Sequence, residues 1–279
     1  VVSHTLGPEN PFQTAGKGLS EQLYQPITLR NPMSEELSFL RFSLLSSLVR
    51  TADYNRRRGI RDLHLFEIGR VFALGEQGYH EWLHLGILMT GNHHSPHWAE
   101  KPKPVDFYHL KGVVEYMLQA LGIEARFLPV GEHDPRFHPG RSAYVHDKDD
   151  QRLGVIGEIH PNIAREYEFR QRVYVGEFSL NALRHAAAHT VAYRPLPIFP
   201  PVLRDIAILV PEEVPVGQLF DTIREVGGDW LESVQLFDRY TGSHIPEGLH
   251  SLAFSLVFRS RERTLTDEEI DAALARILD

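Results

Sequence analysis

The chain has 279 residues, 42% of them hydrophobic and 24% charged, with 29 Lys and Arg against 37 Asp and Glu for a formal net charge of −8. That balance excludes disordered and low-complexity classes and leaves bulk charge unable to hold a polyanion, so any nucleic acid must be gripped locally. With no cysteine there is no disulfide, thiolate metal site or cysteine nucleophile, and with no signal-like start and no membrane-length apolar run the expectation is a soluble, cytoplasmic protein.

Length favours two folding units, and the first is expected over residues 1–190. After Asn31-Pro32-Met33, Ser34 reads as a helix N-cap with Glu35 and Glu36 in the first turn. Leu37, Leu40, Leu44, Leu45, Leu48 and Ala52 follow at helical spacing, closed by Arg56-Arg57-Arg58-Gly59. Phe42 and Val49 widen the apolar arc to about half the circumference, more than one packing partner needs. Leu40, Leu44, Leu45 and Leu48 are therefore expected at a subunit interface. Arg41 falls inside the arc, where a buried guanidinium must be paired, and Glu67 is its candidate partner in a structural ion pair.

Strands are predicted at Leu63 to Phe72, Leu83 to Met89, Ile123 to Leu128, Ala143 to His146, Leu153 to Ile159 and Val173 to Phe178. A second helix spans Asp106 to Leu121. Many strands with few helical crossovers imply an α+β fold built on a mostly antiparallel sheet.

From Ala186 to Pro201 the chain turns rich in small residues and proline, which marks a seam. Beyond it, over 194–279, alternation predicts a strand at Ile206 to Val210, a helix at Val216 to Val226, strands at Leu231 to Tyr240 and Leu249 to Arg259, and a helix at Thr266 to Leu278. The order βαββα is a ferredoxin-like α/β sandwich lacking its last strand. That gap, the start without methionine and an end that still reads as helix at Ile270 to Asp279 suggest a fragment.

Chemistry-bearing motifs are few. His93-His94-Ser95-Pro96-His97 resembles a metal site by composition, but it has no i, i+4 pair and no carboxylate at ligand spacing, so an exposed loop is the plainer reading. His138-Pro139-Gly140-Arg141-Ser142 suits an anion-holding turn or, more simply, a tight turn entering the strand at Ala143. Nucleophile elbows, Walker-type loops and dinucleotide fingerprints are absent. No catalytic residue and no metal ligand is identified.

In the second unit, Leu252, Phe254, Leu256 and Phe258 alternate with small residues, which predicts one helix-covered face and one open face. Arg259, Arg261 and Arg263 follow that strand, and Arg239-Tyr240 end its neighbour. A stacking ring with several cations would give a local single-stranded RNA contact. Residues 194–279 hold 8 arginines against 15 acidic side chains, so pairing of these arginines with Glu262, Asp267, Glu268 and Glu269 is the competing reading.

Taken in order and spacing, several segments resemble the β subunit of bacterial phenylalanyl-tRNA synthetases over essentially the whole chain. They are NPMSEELSFLRFSLLSSLV from Asn31, LFEIGRVF from Leu65, VDFYHLKG from Val105, HPGRSA from His138, GEIHP from Gly157, FPPVLRDIAILV from Phe199, LFDRYTG from Leu236 and SRERTLTDEEI from Ser260. The resemblance implies a class II synthetase-like, non-catalytic module followed by a ferredoxin-fold anticodon-binding domain. It further implies an α-subunit partner in an (αβ)₂ assembly, tRNA as ligand, and ATP and Mg²⁺ used by the complex rather than by this chain. The active class II enzymes it resembles bind ATP with an arginine–glutamate pair on one strand and a late Gly-x-Gly-x-Gly-x-x-Arg segment. Here LFEIGRVF keeps Glu67 but has Leu65 and Phe66 before it, and the late segment is missing too. Without those groups the developing charge has no stabiliser. The alternatives are a free-standing hydrolase or metalloenzyme using His93 to His97, and a ligand pocket of the chain's own around Arg41 and Glu67.

Overall fold

The computed structural model describes residues 1–8, 12, 24–95, 97–131, 134–187, 193, 195–242 and 244–278. The chain divides into two compact units, Val1–Thr190 and Val191–Asp279. Residues 188–192 and 194 of the expected seam lie outside the described residues.

The first unit is built on a six-stranded antiparallel sheet. Its strands are β3 (Leu63–Gly75), β4 (Gly78–Thr90), β5 (Ala125–Pro129), β6 (Phe137–Asp147), β7 (Arg152–Ile159) and β8 (Val173–Ser179), in the spatial order β3-β4-β8-β7-β6-β5. A small pair, β1 (Leu6–Gly7) with β2 (Phe39–Leu40), lies outside that sheet. Helix α1 (Leu44–Arg56) packs on one face with Leu88, Val155, Val173 and Val175. On the other face α2 (Phe107–Ala120) and α4 (Leu180–Ala186) cover Ile87, Ile156, Tyr174 and Phe178. A short helix, α3 (Pro161–Glu166), contributes Ile163 to the α1 side. Central β8 is therefore buried on both faces, which is why VYVGEF reads as a continuous apolar run rather than as an alternation.

Helix α2 begins where the sequence places it: Asp106 accepts from the His109 N–H and the His109 side chain returns the bond, a capping box. Helix α1 does not begin at Ser34. Glu35–Leu37 form one 3-10 turn, and the chain then runs extended. Leu40 N–H donates to Ile27, Arg41 N–H to Thr5, and Phe72 N–H to the Arg41 carbonyl. These long-range bonds outweigh the local helical spacing and move the N-cap to Ser43, whose hydroxyl accepts from Leu45 N–H. The expected interface face is corrected as well. Leu44, Leu45 and Leu48 are 0% exposed in this chain's own core, and Leu40 sits in β2 outside the helix.

The stretch from His138 is not a tight turn but part of β6, which bulges against β7 between Phe137 and Ser142.

The second unit has a three-stranded antiparallel sheet of β9 (Val202–Pro211), β10 (Leu231–Tyr240) and β11 (Leu249–Phe258), ordered β10-β11-β9. Helices α5 (Val216–Gly227) and α6 (Asp267–Leu278) cover one face. In β11, Leu252, Phe254, Leu256 and Phe258 are 0% exposed while the residues between them are half-buried. The described residues thus follow the order βαββα with the elements within a few residues of their expected bounds. Among the described residues no helix is long and apolar enough to cross a membrane.

Candidate functional site

The α1-covered face of the first sheet carries two buried charge networks. Arg41, extended before α1, donates from Nη1 to Glu67 Oε1 at 2.7 Å and from Nε to the Arg70 carbonyl at 2.7 Å. Ser3 Oγ lies 2.7 Å from the second Glu67 oxygen, so both carboxylate oxygens are engaged. Arg41 and Glu67 are 5% and 2% exposed. Leu65 packs against the α1 core and Phe66 points outward, 63% exposed. The residues before Glu67 are thus a packed leucine and an outward phenylalanine, and Glu67 is already paired with Arg41.

The second network was not legible as a site. Glu177 on β8 accepts from Ser43 Oγ at 2.7 Å and from Leu44 N–H at 2.8 Å, so it anchors the α1 N-terminus. Its Oε1 also lies 3.1 Å from His84 Nδ1. Burial pushes the Glu177 carboxyl up, but the His84 hydrogen bond and charge, the Leu44 N–H and the Arg136 charge outweigh it and hold the group below the usual carboxylate value. Arg136 and Asp134 form a bidentate pair, Nε to Oδ1 at 2.9 Å and Nη2 to Oδ2 at 2.6 Å. Burial works against the Arg136 charge, yet the Asp134 bonds raise its pKa. The available sequence signal was a lone carboxylate inside the apolar run VYVGEF.

The histidine loop offers no metal geometry. Among the described residues no group of three or more His, Asp or Glu is placed to hold an ion. His93 instead lies tilted against His109, centroids 4.5 Å apart, and against His64, 6.2 Å away. Burial and then the neighbouring imidazoles lower its pKa. Arg141 of the His138 segment donates from Nε to Glu158 Oε2 at 2.6 Å, which removes the cation from the expected anion turn.

In the second unit the five proposed RNA-contacting residues do not form one cluster. Tyr240 pairs with Ser251 at the start of β11, whereas Leu231 pairs with Phe258 at its end and Arg259 follows beside Trp230. Because β10 and β11 are antiparallel, the exit of one lies at the entry of the other; Tyr240 opposes Ser251, eight residues from Arg259, so the two stand about 26 Å apart at ~3.3 Å per residue. The arginines also differ in charge state of their surroundings. Arg259 donates from Nε to Glu232 Oε2 at 2.7 Å and from Nη1 to the Phe199 carbonyl at 3.2 Å. Arg263 is clamped by Glu269, whose carboxyl this contact and the Thr266 N–H lower to about 2. Arg239 lies 4.0 Å from Glu212, with both side chains about half exposed. Arg261 is exposed and makes no ion pair among the described residues. The competing reading holds for Arg263, and Arg259 takes a glutamate on the neighbouring strand rather than one nearby in sequence.

The open face of this sheet is apolar and acidic rather than basic. Across it run the rows Leu209–Ser251–Tyr240, Ala207–Ala253–Asp238 and Asp205–Ser255–Gln235. Leu203, Leu209 and Tyr240 are 60%, 56% and 47% exposed.

The chain is thus an antiparallel sheet covered by helices on both faces, followed by a βαββα sandwich, and sequence comparison assigns its class. Residues 2–180 match the family described as "Phenylalanyl tRNA synthetase beta chain CLM domain", and residues 197–279 match "Ferredoxin-fold anticodon binding domain". The chain belongs to the phenylalanyl-tRNA synthetase beta chain family. The phenylalanine–tRNA ligase beta subunit of Symbiobacterium thermophilum is 42% identical over 99% of this chain and 31% of its own length. That of Geobacillus kaustophilus is 40% identical over 91% of this chain and 32% of its own. A solved structure of Desulfitobacterium hafniense PylSc, a pyrrolysyl tRNA synthetase, covers 66% of this chain and 60% of that one, with TM-score 0.46 and 20% identity. The chain spans about a third of the length of the relatives it matches.

Proposed function

We propose that this chain is a non-catalytic segment of the beta subunit of phenylalanine–tRNA ligase, serving the ATP- and Mg²⁺-dependent charging of tRNA with phenylalanine in the cytoplasm. Catalysis belongs in this reading to a separate α subunit, assembled with it as (αβ)₂. The first unit supplies the docking body and the second unit a tRNA contact. The observation that carries the reading is the succession of the two family domains along the chain. The closed Arg41–Glu67 pair supports the absence of chemistry here, because a carboxylate saturated by Ser3 and Arg41 leaves nothing to orient a nucleotide.

Docking falls to other residues than those read from the sequence. With Leu44, Leu45 and Leu48 inside the core, the apolar groups exposed on the sheet include Phe66, Ile68 and Leu83, at 63%, 54% and 41% exposed. They share one face of β3 and β4, since Phe66 opposes Ile87, Ile68 opposes Leu85 and Leu83 opposes Arg70. For RNA, the open candidates are Tyr240, Arg239 and Arg261. Phenylalanine charging by the assembled α and β subunits, with and without Tyr240→Ala, is the test: a raised KM for tRNA at unchanged ATP–pyrophosphate exchange supports the role, and an unchanged KM refutes it.

A further inference from the structure

Beside the Glu177 network the first unit contains a cavity of about 290 Å³, near the small end of the range that small-molecule sites occupy. Its lining is two-sided. Phe42, Val71 and Trp82 supply an apolar wall, and Gln151, Arg152 and Asn181 a polar one. Only Phe42 was singled out by the sequence, and as part of a helix face, because these residues come from the segment before α1, from β3 and β4, from the start of β7 and from α4.

The charges around the cavity are unevenly satisfied. Arg136, also in the wall, has its bidentate Asp134, and Glu177 has its three donors. Arg152 has no ion pair among the described residues. Its guanidinium lies over the Tyr144 ring, 3.9 Å from the centroid, and its Nε is buried without a hydrogen-bond partner. A buried donor left without an acceptor is destabilising, and charged donors most of all. Nε itself is closed off, but Arg152 as a whole is half-buried and lines the wall, so an acceptor held in the cavity would meet the rest of its guanidinium.

We propose that this cavity binds a small monocarboxylate with a flat apolar body, its carboxylate on Arg152 and its body against Phe42 and Trp82. One unpaired cation suits one negative charge. A dianion such as phosphate is disfavoured, because the Glu177 carboxylate shares the wall and the second arginine is already neutralised. The amides of Gln151 and Asn181 add neutral donors that orient without adding charge.

Titration calorimetry of the full chain with phenylacetate tests this, with inorganic phosphate and benzyl alcohol as the dianionic and uncharged probes. Saturable binding of phenylacetate alone is expected, weakened by about tenfold or more in Arg152→Gln, the loss of one charge-assisted hydrogen bond. Where Arg152→Gln fails to fold, the Trp98→Phe/Trp230→Phe background leaves Trp82 as the sole tryptophan of the original 3. Its emission must then change with the calorimetric midpoint. Absence of saturable binding, equal binding of phosphate, binding that a folded Arg152→Gln retains in full, or a silent Trp82 would each overturn the proposal.

Discussion

Gly69 makes room for Arg41: a Cβ built on Gly69 would overlap the guanidinium, and the neighbouring Leu44 methyl would stand 3.2 Å away. The absence of a side chain on β3 is what lets the buried Arg41–Glu67 pair close. Breaking such a pair strands the remaining charge, so Glu67→Gln is expected to destabilise the first unit by about 3 kcal/mol in urea unfolding. Gly69→Ala is expected to act in the same direction by displacing Arg41. The double change Arg41→Met with Glu67→Leu removes both charges and should recover most of the loss. A double variant no more stable than Glu67→Gln would contradict the account.

Glu177 gives the first unit an acid limit. Its carboxyl is held below the ordinary value of 4.5 in the folded chain, so the folded state binds fewer protons than the unfolded one. The stabilisation is complete above 4.5 and is lost as pH falls through the lower folded value. Glu177→Gln should therefore flatten the acid limb of the melting-temperature profile. At pH 7 it should lower stability by about 1.5–3 kcal/mol, the range for hydrogen bonds to a charged group. An acid limb identical in the variant would place the titrating group elsewhere.

Helix α1 shows what the sequence could and could not reveal. Its apolar residues from Leu44 to Ala52 are in place, yet Leu37, Leu40 and Phe42 fall before it, because Ser34-Glu35-Glu36 is a sound N-terminal signal that delivers only one turn. What overrides it are bonds to Thr5, Ile27 and Phe72, partners invisible in a local window. The wide apolar arc was real too, but two sources inside the chain use it: Leu45, Leu48 and Val49 enter the core, and Leu44 fits against Gly86. The second unit was far more legible because strict alternation in β11 fixes which face the helices cover. Its site was not, since alternation cannot say which strand ends meet.

That distinction separates folding residues from docking residues. Leu48→Ala, at a site 0% exposed, should cost about 2–5 kcal/mol of stability through the cavity it leaves. Phe66→Asp with Ile68→Asp should leave the melting temperature of the chain within a few degrees and abolish co-elution with the α subunit. Co-elution that survives the double aspartate change would move the docking surface away from β3.

His250 is an uncompensated element of the second unit. It is 3% exposed on the helix-covered face of β11, opposite Val210, and neither ring nitrogen finds a partner among the described residues. Replacing it by an apolar side chain removes both unsatisfied groups, so His250→Leu should stabilise the unit by about 1–2 kcal/mol. Unfolding midpoints in urea, at unchanged slope, would show it. A destabilised His250→Leu would mean that the imidazole has a partner in solution.

Tyr240 and Arg259 stand at opposite ends of the second sheet, and their variants should diverge. Arg259 ties β11 to Glu232 and to the Phe199 carbonyl, so Arg259→Ala should lower stability by about 1 kcal/mol, as a partly exposed pair does, with little effect on RNA. Tyr240 is half exposed on the open face, its ring beside Gly242. Stacking of a base is worth about 1–3 kcal/mol, so Tyr240→Ala should weaken binding of a tRNA anticodon arm by roughly five- to hundredfold with the melting temperature unchanged. Arg261→Ala, which removes a cation with no ion pair among the described residues, should weaken binding more mildly and reduce its salt dependence. Asp205 and Asp238 lie on the same open face. If RNA crosses it, Asp238→Asn should tighten binding, because Asp238 is the nearer in register to Tyr240. If instead only Arg259→Ala weakens RNA binding, the contact lies at the other end of the sheet, and the open face belongs to a different partner.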